Sequence, residues 1–455
     1  MTLQRDGQNP GKERGVALVL TLVLLLGLGG LVAAYLAVST LEPQIARNLA
    51  DASRARHLAE AGIERGFNVL VATAADAGGG WSGLLAGATA QRPWVGLAGL
   101  TNIALGSAAR GTFSVTIRND NGGADTTLTG LSATTRPAMD TSPTIDANAT
   151  VIMRSAGTFN GMTKTVEVVV RRAALPSFAG AVNIAGVSAG TVVDAVALDI
   201  DGRDYGCAGG GTTCDEPSSW SLTGNPLKYG VAVPPGAEAP VETALATPAQ
   251  PDAVKGKRRA DPSGAYTTGR EAVAADDTVT GARIDGFVSA LAANPATTVL
   301  ESTAACPIVV SGAGQGATNA APVANGCGLA TSAHLGSRQD PRVVFVRGHA
   351  ALDRGLRGAG VLVVQDGQLT SRGDLEWDGV VIVAGRGSSL AFTGSGRTII
   401  RGAAIASDSD STGAGAADLA IGSSVGSISI RSSKQNVEMV KAMRALHSLT
   451  NWREI

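Results

Sequence analysis

Hydrophobic and polar positions divide the chain into regimes with different periods. The first is an uncharged run, Val16–Val38 (VALVLTLVLLLGLGGLVAAYLAV), with Lys12, Glu13 and Arg14 just before it. At about 1.5 Å per residue the run reaches across a hydrocarbon layer of about 30 Å, which a secretory h-region is too short to do. The second regime begins at Thr40. Leu41, Ile45, Leu49, Ala52, Ala59, Ile63, Phe67 and Leu70 fall on one face at steps of three or four, interrupted by Arg56, while Arg47, Asp51, Arg54 and Arg65 project to the other side. The pattern predicts a retained transmembrane helix over 16–38 that continues outward as an amphipathic helix over 39–74. Pro43 is expected to kink this helix rather than end it. Arg56 and Glu60 are spaced to meet on its surface.

Past Leu70 the period changes to two. Gly111–Arg118 (GTFSVTIR) alternates as a strand, and so do Ala149–Thr158 and Thr163–Arg172. The last two are joined by Phe159-Asn160-Gly161-Met162, in which Asn-Gly favours a tight hairpin turn. Between them Asn119–Thr150 is polar and reads as turns or an insertion. From about Leu175 short apolar runs recur: GVLVV at Gly360–Val364, GVVIV at Gly379–Val383 and TIIRGAAIA at Thr398–Ala406, with Ala181–Ile184, Val192–Ile200 and Val343–Val346 as further members. Their spacing of about twenty residues suggests stacked β-coils, in which aliphatic rungs build a core without aromatics. A solenoid-like domain is preferred and a sandwich is the alternative. A helix is expected over Ala282–Ala293, and an amphipathic one over Lys434–Ile455, with Val437, Val440, Met443, Leu446 and Leu449 on one face.

Composition narrows the function. With 455 residues, 60 glycines, 4% aromatics and a net charge of −1, the chain is long enough for two or three domains beyond the anchor but has no basic field. No segment combines clustered Lys or Arg with stacking aromatics, so nucleic-acid binding is not expected. The single basic cluster, Lys255-Gly256-Lys257-Arg258-Arg259, reads as a solvated linker. Arg5, Lys12 and Arg14 before the apolar run are balanced by Arg47, Arg54 and Arg56 after it, so basic residues alone do not orient the anchor. The cysteines do. Cys207 and Cys214 enclose one glycine-rich loop and Cys306 and Cys327 another, which fits two local disulfides in an oxidising compartment and places the bulk of the chain outside the cytoplasm.

Candidate chemistry is thin. Asp199, Asp201 and Asp204 gather near Gly202 in the manner of a calcium loop, but the spacing is incomplete and the terminal bidentate Glu is missing, so a salt-bridged turn around Arg203 is preferred. His57, His334, His349 and His447 lack a neighbouring nucleophile motif and read as surface residues. No catalytic residues, cofactor or structural metal are expected. Gly27, Gly29, Gly30, Ala33 and Ala34 in the apolar run permit close approach of neighbouring helices.

The segments Glu13-Arg14-Gly15-Val16-Ala17-Leu18-Val19-Leu20, Ser39-Thr40-Leu41-Glu42 and Ala59-Glu60-Ala61-Gly62-Ile63-Glu64-Arg65-Gly66 resemble the N-terminal region of PilX-type pilus assembly proteins, minor members of the type IV pilin class. The resemblance covers roughly the first 70 residues, and SAGTFNGMTKTVEVVVRR further on resembles a segment common in the same proteins. It implies that a leader, 1–15, is removed after Gly15, leaving Val16 as a methylated N-terminus. It also implies a single-pass protein of the bacterial inner membrane, with the bulk periplasmic or carried outward in a filament. Its partners would be other pilin-class subunits and the assembly machinery. Leu20 stands where major pilins carry a glutamate that helps subunits enter the filament, which argues against a bulk filament subunit.

The expected fold class is therefore α+β: a long N-terminal pilin-like helix, a small antiparallel sheet at 75–174, a large β-rich domain at 175–433 and a C-terminal helix at 434–455. The expected function is a minor pilin-like component of a type IV pilus or related pseudopilus, acting in filament initiation or at the tip. The alternative is a surface adhesin whose β domain binds a glycan or surface, and a third is a cell-envelope polysaccharide-acting enzyme on a β-solenoid, which would need a groove with paired carboxylates and would lose turnover on Asp201→Asn.

Overall fold

The computed structural model describes residues 10–73, 80–105, 111–134, 138–176, 178–186, 190–193, 197–208, 214, 219–246, 252–261, 263–294, 297, 299–302, 308–310, 320–325, 330–352, 356–393, 395–409, 419–422 and 426–455. Its first element is a single stem helix, Pro10–Ala72, which runs unbroken through Pro43. Its 63 residues correspond to about 95 Å of helix.

The far third of the stem packs on a small sheet, and here the 3.6-residue period of the helix meets the two-residue period of the strands. Ala59, Ile63, Phe67 and Leu70 bury themselves against Phe113, Val115, Ile117, Val151, Met153, Val166, Val168 and Val170. Strand Gly111–Asn119 alternates buried and half-buried positions along its whole length, as its sequence predicts. It pairs antiparallel with Thr150–Phe159, which in turn pairs with Met162–Arg172. The hairpin between the last two turns at Asn160 (φ 47°) and Gly161 (φ 82°), the left-handed pair that a two-residue turn of matching twist requires.

Helix and sheet approach closely because each side carries glycines where the other comes nearest. A Cβ on Gly62 of the stem would lie 2.1 Å from Ser155 Oγ, and one on Gly66 would lie 2.5 Å from Met153 Sδ. From the sheet side, a Cβ on Gly157 would lie 2.2 Å from the carbonyl oxygen of Ala55 and 2.4 Å from the amide nitrogen of Ala59.

The large β-rich part is inserted within this sheet. The chain leaves it at Arg172, builds the insert, and returns with a closing strand, His447–Glu454, that pairs antiparallel with Met162–Arg172 at the sheet edge. The expected helix over 434–455 is therefore corrected. Helix is confined to Lys434–Lys441, followed by a short 3-10 turn at Arg444–Leu446 and then the strand. Val437, Val440, Met443 and Leu446 are buried as their spacing suggests, but the backbone turns extended at Met443 (φ −66°, ψ 127°). Beyond it the unpaired edge of Met162–Arg172 offers a full ladder of hydrogen bonds, which outweighs local helix propensity.

In the insert, Arg342–Arg347, Leu356–Gln365, Leu375–Gly385, Arg397–Asp408 and Ser427–Ser432 pair parallel in sequence order. A second sheet runs in step with them through Ala350–Leu352, Gln368–Ser371, Ser389–Phe392 and Leu419–Ile421. The chain thus alternates between two stacked sheets. Gly360, Gly379 and Gly402 stand in register across three neighbouring strands, each at positive φ, and a Cβ on Gly379 would lie 2.1 Å from the Gly360 carbonyl oxygen. Only glycine fits that row.

Past it the strands are buried on both faces. Leu362, Val364, Val381 and Val383 point into the interior between the sheets, while Val361, Val363, Val380 and Ile382 meet the helices Gly281–Ala292 and Lys434–Lys441. Two-sided burial explains why these runs are continuously apolar rather than alternating. One rung is composite: Ser427–Ser432 lies between Arg397–Asp408 and Leu198–Asp201, and Gly180–Ile184 pairs with the second half of Arg397–Asp408.

The helix-sheet contact predicts that Gly157→Ala destabilises the full-length protein by about 1–3 kcal/mol through overpacking, read as a lower melting temperature in detergent. Gly123→Ala, where a Cβ meets nothing within 4 Å, serves as the control and is expected to leave it unchanged. Equal melting temperatures would show that helix and sheet are not held at this distance.

Candidate assembly surface

Every described residue from Gly15 to Val38 is exposed. Gly15 and Val16 lie in this exposed stem, and so do Gly27, Gly29, Gly30, Ala33 and Ala34; a Cβ on any of the four glycines would meet nothing within 4 Å. Thr21 Oγ1 donates back to the carbonyls of Ala17 (3.0 Å) and Leu18 (2.9 Å), and Ser39 Oγ to that of Leu36 (3.1 Å). These hydroxyls are satisfied inside the helix, as an apolar medium demands. Among the described residues this is the one helix long and apolar enough to cross a membrane.

The exit of the stem from the sheet is pinned by polar contacts. Asn160 at the hairpin tip donates to Asp51 (3.2 Å), and the Arg54 guanidinium lies 5.1 Å from the centre of the Phe159 ring. Arg56 pairs with Glu60 at 3.0 Å, as its spacing predicts, and approaches Glu454 of the closing strand at 3.8 Å. About 40 residues, or about 60 Å of helix, project beyond this point.

At the other end of the stem the inserted domain is joined on. Arg172 donates to the carbonyls of Leu70 (3.0 Å) and Thr73 (2.8 Å), closing the helix C-terminus, and stacks 4.4 Å over Trp81. Its Nε donates to His447 Nε2 at 2.9 Å, while His447 Nδ1 lies 3.0 Å from the Met443 carbonyl. This geometry requires a neutral ring with its proton on Nδ1. Burial, and then the Arg172 charge, push the His447 pKa down to about 4. Trp81 donates through Nε1 to Leu70 O (2.9 Å) and through its amide to Asp146 (2.9 Å). Burial pushes the Asp146 carboxyl up to about 7 against that bond, with Asp140 and Asp120 adding repulsion. Burial likewise pushes Asp120 up to about 6. On the outside of the joint Arg444 pairs with Glu64 (2.6 Å) and Asn68 (2.8 Å).

His447, read from sequence as a surface residue, is 4% exposed. No local signal marks it, because its burial depends on pairing with a strand some 270 residues earlier. Glu376, Asp378 and Arg401 were also missed. Arg401 is 2% exposed, bonds Asp378 (3.0 Å) and Glu376 (2.6 Å), and stacks 4.8 Å from Trp220.

Cys207 and Cys214 form a disulfide, while Cys306 and Cys327 lie outside the described residues. The three aspartates considered for calcium are each held by protein partners. Asp199 pairs with Lys255 (2.7 Å) and Arg431 (3.2 Å). Asp201, fully buried, accepts from Arg203 (2.6 Å) and Tyr205 (2.7 Å), which is the salt-bridged turn favoured by the sequence. Asp204 accepts from Asn225 (2.7 Å) and the Lys434 amide. Among the described residues no group of three or more His, Cys, Asp or Glu side chains is placed to hold a metal ion. The basic cluster is corrected from linker to strand. Val254–Lys257 pairs with Leu198–Asp201 and Tyr266–Thr268, and Lys257 lies over the Tyr229 ring at 5.5 Å.

These features define an α+β protein with a projecting apolar stem. No protein-family model matches the chain, and no curated protein matches it. Among solved structures it is similar to the crystal structure of the competence-associated pilin ComZ from Thermus thermophilus, at 12% identity over 89% of this chain and 98% of that one, with a TM-score of 0.23. At that TM-score the likeness carries no argument, and the functional conclusion rests on the geometry of this chain.

The joint predicts opposing pH responses. His447 has a folded pKa below its ordinary 6.5, so its contribution, up to about 3 kcal/mol, is complete above pH 6.5 and is lost as pH falls towards 4. Asp146 and Asp120 have raised folded values, so their burial penalty is relieved as pH falls from about 7 towards 3.8. The wild-type urea midpoint is therefore expected to rise between pH 7 and 5, because two carboxyls are relieved against one imidazole, and that of His447→Gln to rise further. Parallel midpoints for the two proteins would show that His447 titrates alike in the folded and unfolded chain.

Proposed function

We propose that the chain is a minor pilin-like subunit of a type IV pilus or related pseudopilus, anchored in the bacterial inner membrane by its stem and acting in filament initiation or at the tip. The carrying observation is the stem: one helix whose far third is buried on the small sheet through Gly62, Gly66 and Gly157, and whose uncharged near part lies wholly exposed. Such a surface is stable in a bilayer, and outside one only when other helices cover it. A subunit that moves from membrane to helix bundle uses both states. The role asks for no catalysis.

The place of the insert supports a second role, in which the β-rich domain contacts a glycan or surface. It joins at Arg172 and His447, beside the helix end at Leu70–Thr73, at the opposite end of the sheet from the stem exit at Asp51–Arg56. The stem can thus be packed among other helices while the insert stays clear of them.

Intact mass and N-terminal sequencing of the protein purified from its native membrane test the first role. A chain beginning at a methylated Val16 is expected. A chain beginning at or near Met1 would reduce the stem to an ordinary signal anchor and leave the insert to explain the function.

A further inference from the structure

At one edge of the insert the strands Ser427–Ser432, Leu198–Asp201, Val254–Lys257 and Tyr266–Thr268 follow one another in a single sheet. Leu198, Ile200, Val254, Ile428 and Ile430 belong to the core between the two stacked sheets. By alternation Asp199, Asp201, Lys255, Lys257, Ser429 and Arg431 project from the opposite face. Register sets Ser429 beside Asp199, Arg431 beside Asp201, and Asp201 beside Lys255. Lys257 stands opposite Tyr266 in an antiparallel pair, so the two share that face. Tyr266–Thr268 is the last strand of its sheet, and Tyr266 is 43% exposed, so the polar strip opens at an edge.

Cations outnumber carboxylates along it. Lys255 and Arg431 both bind Asp199, at 2.7 and 3.2 Å, and Arg203 binds Asp201 at 2.6 Å. Lys257 pairs with no carboxylate among the described residues and lies 5.5 Å from the centre of the Tyr229 ring. Four cations thus stand against two acids, in a chain whose net charge is −1. The side chains of Arg203, Lys255, Asp199 and Arg431 stay 25–32% exposed, within reach of a ligand. They are also held in place beforehand. Arg203 is fixed between Asp201 and the Tyr266 ring (4.9 Å), and Arg431 lies 4.7 Å over the Tyr205 ring, its buried Nε without a hydrogen-bond partner. Side chains ordered in the free protein cost little further entropy on binding.

The excess charge favours an anion, but not a densely charged one. Asp199 lies in the strip and would repel a nucleic-acid backbone, which carries a charge about every 3.4 Å of strand. A single exposed tyrosine is also no stacking row for bases. A polymer of uronic-acid sugars uses both signs. Its carboxylates accept from Arg203, Lys255, Lys257 and Arg431, and its ring hydroxyls donate to Asp199, whose two oxygens keep acceptor capacity beside Lys255 and Arg431. The apolar face of a sugar ring packs on Tyr266. Neighbouring strands about 4.8 Å apart offer such a polymer, lying across them, one step of the strip after another.

We propose that this strip of the insert binds an acidic polysaccharide, a polymer of hexuronic acids. The proposal rests on the reading above in which the β-rich domain contacts a glycan or surface, and it gives that reading a site and a ligand class.

The test measures binding of the full-length protein in detergent to polygalacturonate and alginate, to the same polymers with their carboxyls reduced to alcohols, and to single-stranded DNA. The two acidic polymers are expected to bind, at least about tenfold tighter than the reduced polymers or DNA, a difference of one charge-assisted hydrogen bond or more. Lys257→Gln and Tyr266→Ala, made separately, are each expected to weaken that binding about tenfold at unchanged melting temperature, with Tyr266→Phe retaining it. DNA that binds as tightly as the acidic polymers, or variants that bind them as the wild type does, would overturn the proposal. Binding of the reduced polymers in preference to the acidic ones would refute the present inference and leave the glycan reading standing. If acidic polymers, neutral polysaccharides and solid surfaces all fail to bind, the reading beneath it falls as well.

Discussion

The distance between the stem helix and the small sheet is the constraint on which the rest depends. Gly62 and Gly66 on one side and Gly111 and Gly157 on the other leave no room for a Cβ, so Ile63, Phe67 and Leu70 are brought onto the sheet with no intervening layer. Close packing recovers dispersion contacts that a looser interface would forfeit. It also makes the stem part of the domain core, so that whatever holds the near part of the helix holds the sheet and insert with it.

The same contact explains why the joint can be polar. Arg172 closes the helix C-terminus and stacks on Trp81, and it donates to a histidine that arrives from the far side of the insert. A buried guanidinium is tolerable only with its donors satisfied, and here two carbonyls, an aromatic face and a neutral imidazole do so. Because these partners come from three separate stretches of chain, the small domain is completed only when the insert has folded and delivered His447. Local stability and long-range topology are thereby coupled.

Much of this was legible in the sequence and some was not, for identifiable reasons. The stem, the Asn160-Gly161 hairpin, the alternation of Gly111–Asn119 and the Arg56–Glu60 pair are local features, and local periodicity predicts them. The recurrence at Gly360, Gly379 and about Gly402 gave away the parallel stacking, because identical rungs in register must repeat in sequence. What escaped was non-local. The strand at His447–Glu454 looks like the tail of an amphipathic helix until the free edge of Met162–Arg172 is known. The composite rung at Ser427–Ser432 lies between neighbours separated from it by more than 220 residues on one side. The turn at Asp201–Arg203 was legible because its partners are two residues apart, whereas Lys255 and Arg431 against Asp199 and Asn225 against Asp204 come from distant strands and loops.

The remaining imbalance is on the stem. Burial in the insert is so complete that its central strands are apolar on both faces, and the small sheet is covered on one side by helix. Yet every apolar side chain from Val16 to Val38, and Leu41, Ile45 and Leu49 beyond them, is exposed. At roughly 25 cal/mol per Å² of apolar surface, such an array cannot remain in water without a large penalty. A bilayer removes it for the first part only, because Leu41–Leu49 lies in the stretch beyond the uncharged run, beside the charged residues Glu42 and Arg47. At that stretch a bilayer would cease to be a sufficient solvent, and only contact with protein could cover the exposed Leu41, Ile45 and Leu49.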